Sequence, residues 1–389
     1  MGRELPRWAL PVTLTLVILL GIPVLAYGMG WWRPGRPGPE EPGPPGAAGL
    51  WEPLQEARFY EKLPGGAVQC GICFRACVIP AGGRGFCRTR VNVDGRLFTL
   101  VYGRPSALHI DPVEKEPLHH FLPGSAMLCV GTAGCNFRCA FCHNWPLSQR
   151  PPEEMARVYN LPPEAVVAFA REHGLPSISF TYNEPTVAFE YLYDVAALAR
   201  QHGIRVVFHS NGGMKPEPLR ALLRHVDGVV IDLKAFTEEF YREVSQASLD
   251  PVLETLKIIS EAGVWLEIVN LVVPTLNDCP DAIRAMSEWI LANLGPDVPL
   301  HFSRFFPNYR LTALPPTPVE TLEMAHSIAR EAGLRFVSIG NVPGHPNNST
   351  FCPDCGEKVI HRIHFEVVDN RLQDGACPDC GSRLPGIWN

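Results

Sequence analysis

The sequence predicts an α/β fold, a partial, TIM-like (β/α)6 barrel with smaller modules at both ends. Six short apolar runs alternate with amphipathic stretches, the pattern of parallel strands joined by helices. The chain has 389 residues, which is enough for one barrel-sized domain with appendages. Most of its thirteen cysteines lie in close groups, and such groups are typical of metal-binding modules.

The barrel itself is predicted over residues 126–345. Its strands are expected at 127–132, 177–182, 206–209, 228–233, 266–273 and 300–305. The stretches 187–200 and 251–262 have apolar residues at helical spacing. Functional groups of such barrels gather at the C-terminal ends of the strands. Polar residues directly after a strand are therefore the candidate site residues.

The composition excludes some classes of function. A hydrophobic fraction of 46% and a charged fraction of 19% indicate a globular protein. The formal net charge of −6, without a basic stripe, gives no reason to expect nucleic-acid binding. Closely spaced cysteines indicate metal ligands that are kept reduced, whereas the isolated Cys129 and Cys279 are predicted to be small buried apolar residues.

The strongest motif follows the first predicted strand. Cys135, Cys139 and Cys142 have CxxxCxxC spacing in a compact loop. Thiolates are the usual ligands of iron–sulfur clusters, and three of them leave one iron of a [4Fe-4S] cluster open. An open iron favours catalysis over electron storage. The alternatives are three ordinary thiols or part of a zinc site.

These residues resemble the radical S-adenosylmethionine (SAM) enzymes. The cluster loop is similar to that of the activases of glycyl-radical enzymes such as pyruvate formate-lyase. The wider pattern resembles the radical SAM enzyme of the AmmeMemoRadiSam system across roughly residues 55–389. The motifs that carry this resemblance lie at 111–118, 120–125, 181–186 and 339–345.

The resemblance implies a [4Fe-4S] cluster that cleaves SAM reductively, so that the resulting radical abstracts hydrogen from a substrate. It also implies a flavodoxin- or ferredoxin-like electron donor. The substrate would be a protein, for which a Memo-like or AMMECR1-like partner is the candidate.

Polar residues after the predicted strands are candidates for binding SAM. Glu184, with Asn183, follows the second strand, where the activases have two glycines, Glu and Pro and use them to hold the SAM ammonium. Tyr182 and Asn183 replace those glycines here, so only the carboxylate carries over. The alternative is that Glu184 stabilises a helix N-terminus.

Ser210 and Asn211 resemble the activases' Thr-Asn-Gly turn, and Asp232 and Lys234 resemble a triplet between cofactor and target. His301 resembles a histidine near the cofactor's ribose. For each there is an alternative without a ligand: an Asn-Gly turn, a structural ion pair, and a histidine with its hydrogen bonds satisfied in the core.

Two further cysteine groups predict metal sites outside the barrel. The extension at 55–125 has four cysteines that fit either zinc or an auxiliary iron–sulfur cluster: Cys70, Cys73, Cys77 and Cys87. The module at 350–389 has two CxxC knuckles that predict a zinc ribbon acting as a lid or docking module, with rubredoxin-like iron as the alternative: Cys352, Cys355, Cys377 and Cys380.

The N-terminal segment predicts a membrane association. Residues 8–30 include an uncharged apolar stretch of about the 20 residues that a spanning helix needs. A Pro/Gly-rich linker follows at 33–50. The prediction is a single-pass anchor with the catalytic body on the cytoplasmic side. A cleaved secretory signal is the alternative.

The function predicted from these features is that of a radical SAM oxidoreductase, activase-like, with an unknown substrate. Its rival is a membrane-attached iron–sulfur and zinc protein that transfers electrons or serves as a scaffold without catalysis. A zinc-ribbon nucleic-acid binder is the weaker third reading. Formation of 5′-deoxyadenosine from SAM separates the first from the others.

Overall fold

The computed structural model describes residues 54–389. Within that range no helix is both long and apolar enough to cross a membrane. This finding contradicts the predicted membrane localisation, and the single-pass anchor with a cytoplasmic body is not retained. The predicted anchor at 8–30 and the linker at 33–50 lie outside the described residues.

The N-terminal extension forms two small antiparallel sheets of short strands. One has the order β1-β6-β5 and the other β2-β3-β4. The strands are β1 (Gln55–Glu56), β2 (Tyr60–Lys62), β3 (Val68–Cys70), β4 (Val78–Ile79), β5 (Arg90–Val93) and β6 (Arg96–Thr99).

The central sheet has eight strands in the order β14-β13-β12-β11-β10-β9-β8-β7. Strands β8 to β14 are parallel, and β7 pairs with β8 antiparallel. They are β7 (Ala107–Pro112), β8 (Ala126–Gly131), β9 (Ser177–Phe180), β10 (Arg205–Ser210), β11 (Gly228–Asp232), β12 (Trp265–Val272), β13 (Leu300–Arg304) and β14 (Val337–Gly340).

Helices connect the parallel strands and cover the sheet, as the alternating pattern predicts. Their apolar faces pack on strands whose residues are mostly buried, which explains the nearly continuous apolar runs of those strands. The helices are α1 (Trp145–Ser148), α2 (Pro163–Glu172), α3 (Phe189–Gln201), α4 (Pro216–Leu223), α5 (Glu238–Glu243), α6 (Asp250–Glu261), α7 (Pro280–Leu294) and α8 (Val319–Glu331).

The sheet is larger than the six strands that were predicted. The six expected strands correspond to β8 through β13, and the structure adds β7 and β14, one at each edge. The sequence of β7 includes the exposed His109 and Ile110 followed by Asp111, so no continuous apolar run marks it. Strand β14 has only four residues and leads directly into a glycine-containing loop.

The C-terminal module is a three-stranded antiparallel ribbon of β15 (Thr350–Phe351), β16 (Lys358–Ile363) and β17 (Glu366–Asn370). The chain turns between β16 and β17, where His364 adopts a positive φ of 58°. Backbone hydrogen bonds join Ile387 to Leu122 and His120, so the end of the chain lies against the barrel.

Candidate active site

The three motif cysteines lie together in the loop after β8. They line a cavity of about 490 Å³ to which residues on or after all seven parallel strands contribute. Cys135 and Cys139 are buried, and Cys142 is partly buried. The structure thus confirms that these side chains share one cavity, although the role of each residue stays a prediction.

A glycine allows the cluster loop to approach the N-terminal extension closely. Gly134 has a φ of 87°, and a Cβ there would lie 2.5 Å from the Thr89 Cγ2 atom and 2.6 Å from the Cys87 carbonyl oxygen. No L side chain fits that space, so a larger residue would push the loop and the extension apart.

The environment of the cysteines suits thiolates that bind metal. Burial raises the pKa of the Cys142 thiol to about 11 and that of Cys135 well above its ordinary value, so metal binding must release protons. The Phe137 amide donates a hydrogen bond to the Cys135 sulfur at 3.3 Å, and the Asn211 side chain donates at 3.7 Å. Such donors stabilise sulfur that is charged.

Glu184 is a buried carboxylate at the cavity wall, 2% exposed. Its Oε1 accepts hydrogen bonds from the Ser210 hydroxyl at 2.7 Å and the Thr186 amide at 2.9 Å. Its Oε2 accepts one from the Asn211 amide at 2.8 Å. Glu184 therefore caps the short 3-10 helix Pro185–Ala188, as the alternative reading predicted, and also joins the ends of β9 and β10 inside the cavity.

Asn183 and Asn211 brace the cluster loop from two sides. Asn183 accepts a hydrogen bond from the Thr132 amide at 2.9 Å and donates one to the Gly134 carbonyl at 2.9 Å. Asn211 donates to the Asn136 side chain at 2.7 Å. Both line the cavity, but their polar atoms are occupied within the protein. Their contribution to a cofactor site is thus largely the position of the loop.

A row of four charged groups lines the cavity floor. Lys234 Nζ lies 2.8 Å from Asp232 Oδ2, and His209 Nε2 lies 3.0 Å from Asp232 Oδ1. His209 Nδ1 lies 3.6 Å from Glu116 Oε2. The predicted Asp232–Lys234 pair is therefore part of a longer row, and sequence reasoning missed both His209 and Glu116.

Charge coupling within this row shifts its pKa values. Burial disfavours the charge on His209, but the carboxylates of Asp232 and Glu116 outweigh it and raise the histidine pKa to about 10. Burial also opposes ionisation of Asp232, yet the cations Lys234 and His209 hold its pKa below the ordinary value. Asp232, His209 and Lys234 are therefore charged at neutral pH.

His301 lies elsewhere, outside the residues that line the cavity. It is 2% exposed, and its ring nitrogens lie 2.6 Å from the Ser338 hydroxyl and 2.7 Å from the Glu267 carboxylate. It lies near the start of β13, and its ring is 4.5 Å from that of His119. Both ring nitrogens have partners within the protein, which fits the alternative of a core histidine with its hydrogen bonds satisfied.

The C-terminal ribbon supplies one wall of the same cavity. His364 and Phe365, at the turn between β16 and β17, line it together with Asn348. Arg362, on β16, is fully buried; it donates to the His119 carbonyl at 2.6 Å and lies 3.6 Å from the Glu114 carboxylate. These contacts hold the ribbon against the barrel and keep its turn at the cavity.

The four ribbon cysteines form a compact cluster of sulfur atoms. Cys352 and Cys380 have sulfurs 3.6 Å apart, and those of Cys355 and Cys377 are 3.7 Å apart. Tetrahedral zinc with Zn–S bonds of about 2.3 Å requires sulfurs about 3.8 Å apart. Among residues 54–389 this is the one group of three or more metal-binding side chains whose ligand atoms all lie within 4.8 Å.

The N-terminal cysteines, Cys70, Cys73, Cys77 and Cys87, line a second, smaller cavity. Of the two isolated cysteines, Cys129 is buried as predicted, whereas Cys279 is exposed. The prediction for Cys279 is wrong because that residue precedes α7 in a surface loop.

Comparison with known proteins identifies the family. A family model described as the Radical SAM superfamily matches residues 129–286. An uncharacterized protein of Methanocaldococcus jannaschii, MJ0808, is 45% identical over 333 residues, which cover 85% of this chain and 99% of that protein. The chain belongs to the radical SAM superfamily. Radical SAM proteins use a [4Fe-4S] cluster and SAM, and the cysteine triplet inside the cavity fits the cluster.

More distant radical SAM relatives have known names. The pyruvate formate-lyase-activating enzyme of Clostridium pasteurianum is 26% identical over 164 residues, 40% of this chain and 66% of that enzyme. Among solved structures, a radical SAM methyltransferase from Sphaerobacter thermophilus has a TM-score of 0.44 at 15% identity, covering 74% of this chain and 76% of its own.

Proposed function

We propose that this radical SAM protein cleaves SAM reductively and abstracts hydrogen from a substrate, in the manner of the glycyl-radical activases. The observation that carries the proposal is that Cys135, Cys139 and Cys142 share one large cavity with Glu184 and the charged row. A bound [4Fe-4S] cluster would supply one electron to the sulfonium of SAM; the bond between its sulfur and the 5′-carbon would break, leaving methionine and a 5′-deoxyadenosyl radical.

The protein's own residues would bind and orient the cofactor. The three thiolates would each hold one iron. Glu184 and Lys234 would face the ammonium and the carboxylate of SAM, since Glu184 interacts electrostatically with Cys135 and Lys234 with Cys139. The cysteine loop and Glu184 would be held in place by hydrogen bonds from Asn183, Ser210 and Asn211.

The substrate is proposed to be a protein, and an AmmeMemoRadiSam partner of the Memo or AMMECR1 type is the candidate. The partial similarity to activating enzymes supports this proposal. A flavodoxin- or ferredoxin-like protein would supply the electron. The ribbon is proposed to bind zinc through its four cysteines and thereby to fix the cavity wall formed by His364 and Phe365.

The decisive experiment is anaerobic reconstitution with iron and sulfide, followed by reduction and an assay for 5′-deoxyadenosine. The wild type should form it from SAM, and Cys142→Ala should not. Cys279→Ala serves as the matched control, because that cysteine is exposed and remote from the motif loop in the sequence. A reconstituted cluster without 5′-deoxyadenosine formation would instead favour an electron-transfer or scaffold protein.

A further inference from the structure

The N-terminal extension contains a second sulfur-lined cavity. Cys70 ends β3, Cys73 and Cys77 lie in the loop before β4, and Cys87 lies in the loop before β5. The Cys70 amide donates to the Cys77 carbonyl at 2.9 Å, and this hairpin brings the first three together. The cavity measures about 20 Å³. That is far too small for an organic ligand, so a guest must be in direct contact with the sulfurs.

The spacing of these sulfurs differs from that of the ribbon cysteines. In the ribbon, all four sulfurs lie within 4.8 Å of one another, which suits a single ion. No three of the N-terminal sulfurs meet that spacing in the part of the chain that the structure describes. In an iron–sulfur cluster the cysteines bind different irons, so their sulfurs stand farther apart. The geometry therefore favours a cluster over zinc.

Positive charge lies between this cavity and the motif cysteines. Arg75 and Arg138 both lie against the ring of Phe86, with their guanidinium carbons 3.5 and 4.0 Å from the ring centroid. They donate to the backbone carbonyls of Asn136 and Cys135 respectively. Among residues 54–389 neither forms an ion pair with a carboxylate. Anionic, metal-bound thiolates on both sides would supply the missing negative charge.

Asn136 joins the two cysteine groups. It lines the small cavity and directly follows Cys135 in the chain. Its side-chain oxygen accepts a hydrogen bond from Asn211, whose amide also points at the Cys135 sulfur. Asn136 is 1% exposed, and its Nδ2 donor has no hydrogen-bond partner among the described residues. A buried donor without a partner is costly, and a cluster sulfur would accept its hydrogen bond.

We infer that Cys70, Cys73, Cys77 and Cys87 hold a second iron–sulfur cluster that passes electrons, past Asn136, to the cluster at Cys135, Cys139 and Cys142. The transfer forms and breaks no bond. A low-potential one-electron carrier protein reduces the second cluster, which is reoxidised as the first is reduced. This relay rests on the proposed function, because its electron is the one that cleaves SAM.

The test uses the full chain, reconstituted anaerobically, in three forms. They are the wild type, a variant with Cys135, Cys139 and Cys142 all changed to Ala, and Cys73→Ala/Cys77→Ala. Iron, sulfide and zinc are counted per chain, and reduced samples are examined by electron paramagnetic resonance. Cys129→Ala is the matched control for loss of a buried thiol outside every group. Zinc retained by the ribbon reports that each variant is folded.

The variant without Cys135, Cys139 and Cys142 should keep the iron, sulfide and resonance signal of the N-terminal cluster. Cys73→Ala/Cys77→Ala should lose the signal of that cluster and keep the other. In that second variant, reduction of the remaining cluster by reduced flavodoxin should be lost or strongly slowed, while titanium(III) citrate still reduces it. Zinc, or no metal, at the N-terminal cysteines would overturn the cluster. Equal reduction by flavodoxin in wild type and variant would overturn the relay.

The same preparations separate this inference from the proposed function. Two clusters without 5′-deoxyadenosine formation would count against SAM cleavage and leave the second cluster in place. If a wild-type chain with iron only at the motif cysteines forms 5′-deoxyadenosine, the proposed function stands and the second cluster is refuted.

Discussion

The buried carboxylate of Glu267 allows a quantitative prediction about the barrel core. Its Oε2 accepts hydrogen bonds from the His119 amide at 2.9 Å and from His301 Nε2 at 2.7 Å. Its Oε1 accepts them from the His120 amide at 2.8 Å and from the Trp265 indole at 2.9 Å. Four donors thus converge on one side chain that is 0% exposed. We predict that Glu267→Gln destabilises the fold, because an amide group cannot accept from all four.

The size of the effect follows from the pKa of Glu267. Burial alone would raise it, but the hydrogen bond and charge of His301, with His120 and Trp265, lower it from 4.5 to about 2. A shift of that size corresponds to ~3 kcal/mol of stability. Because the folded-state pKa is depressed, this stability is present above the unfolded pKa of 4.5 and is lost as the pH falls toward 2.

The assay is urea unfolding of anaerobically reconstituted wild type and Glu267→Gln between pH 8 and about pH 3. The free-energy difference should be ~3 kcal/mol near neutral pH and should narrow as the solution is acidified below the unfolded pKa. Glu288→Gln, on the exposed face of α7, is the control and should match the wild type throughout. A difference below ~1 kcal/mol at pH 7, or one that is unchanged in acid, would refute the reasoning.

Other predictions concern single groups in and around the cavity. Glu184→Gln removes the negative charge proposed to face the SAM ammonium, so SAM binding measured by calorimetry should weaken roughly 5- to 150-fold, or ~1–3 kcal/mol. His301→Gln should lower the melting temperature but leave the SAM affinity unchanged, since His301 does not line the cavity. Cys380→Ser should abolish the zinc binding proposed for the ribbon and lower the melting temperature, and both effects can be measured on one sample. Asp232→Asn should lower the His209 pKa from about 10, and NMR titration of the histidine can measure the change. Because the folded-state pKa of His209 is raised, the stability that its charge contributes is fully present below the ordinary pKa of 6.5. That stability is lost as the pH rises through 10.

The central sheet was largely predictable because its strands are buried on both faces. Strands such as β9 and β11 consist almost entirely of buried residues, and a short apolar run between amphipathic segments marks each of them. The edge strands β7 and β14 lack that signal. An edge strand has one face or one side in contact with solvent, so its sequence is not continuously apolar.

The cavity was only partly predictable, for a related reason. The close spacing of Cys135, Cys139 and Cys142 confines them to one loop, so their convergence follows from the sequence alone. His209 and Glu116 are 93 positions apart in the sequence, so no local sequence pattern predicts that they pair. The only available signal was position: His209 directly precedes the C-terminal end of β10, where the barrel rule places functional groups.

His301 shows that the position of a residue along its strand matters. It lies on a barrel strand, as the resemblance suggested, but at the second residue of β13 and not at its C-terminal end. At that depth the side chain meets Glu267 and Ser338 in the core. Position along the strand therefore decides between a cavity residue and a core residue, and a prediction that is uncertain by two residues cannot make the distinction.

The polar run at 111–120 connects the parts of the site. Its carboxylates have three different partners: Asp111 accepts from the Tyr182 hydroxyl at 2.5 Å, Glu114 meets the ribbon's Arg362, and Glu116 meets His209. One short segment thus touches the loop after β9, the ribbon and the charged row. Two of these carboxylates, Glu114 and Glu116, are buried, and a buried carboxylate is costly unless it has a partner, as these two have in Arg362 and His209. The run therefore fixes the ribbon relative to the charged row, in addition to the direct contribution of His364 and Phe365 to the cavity wall.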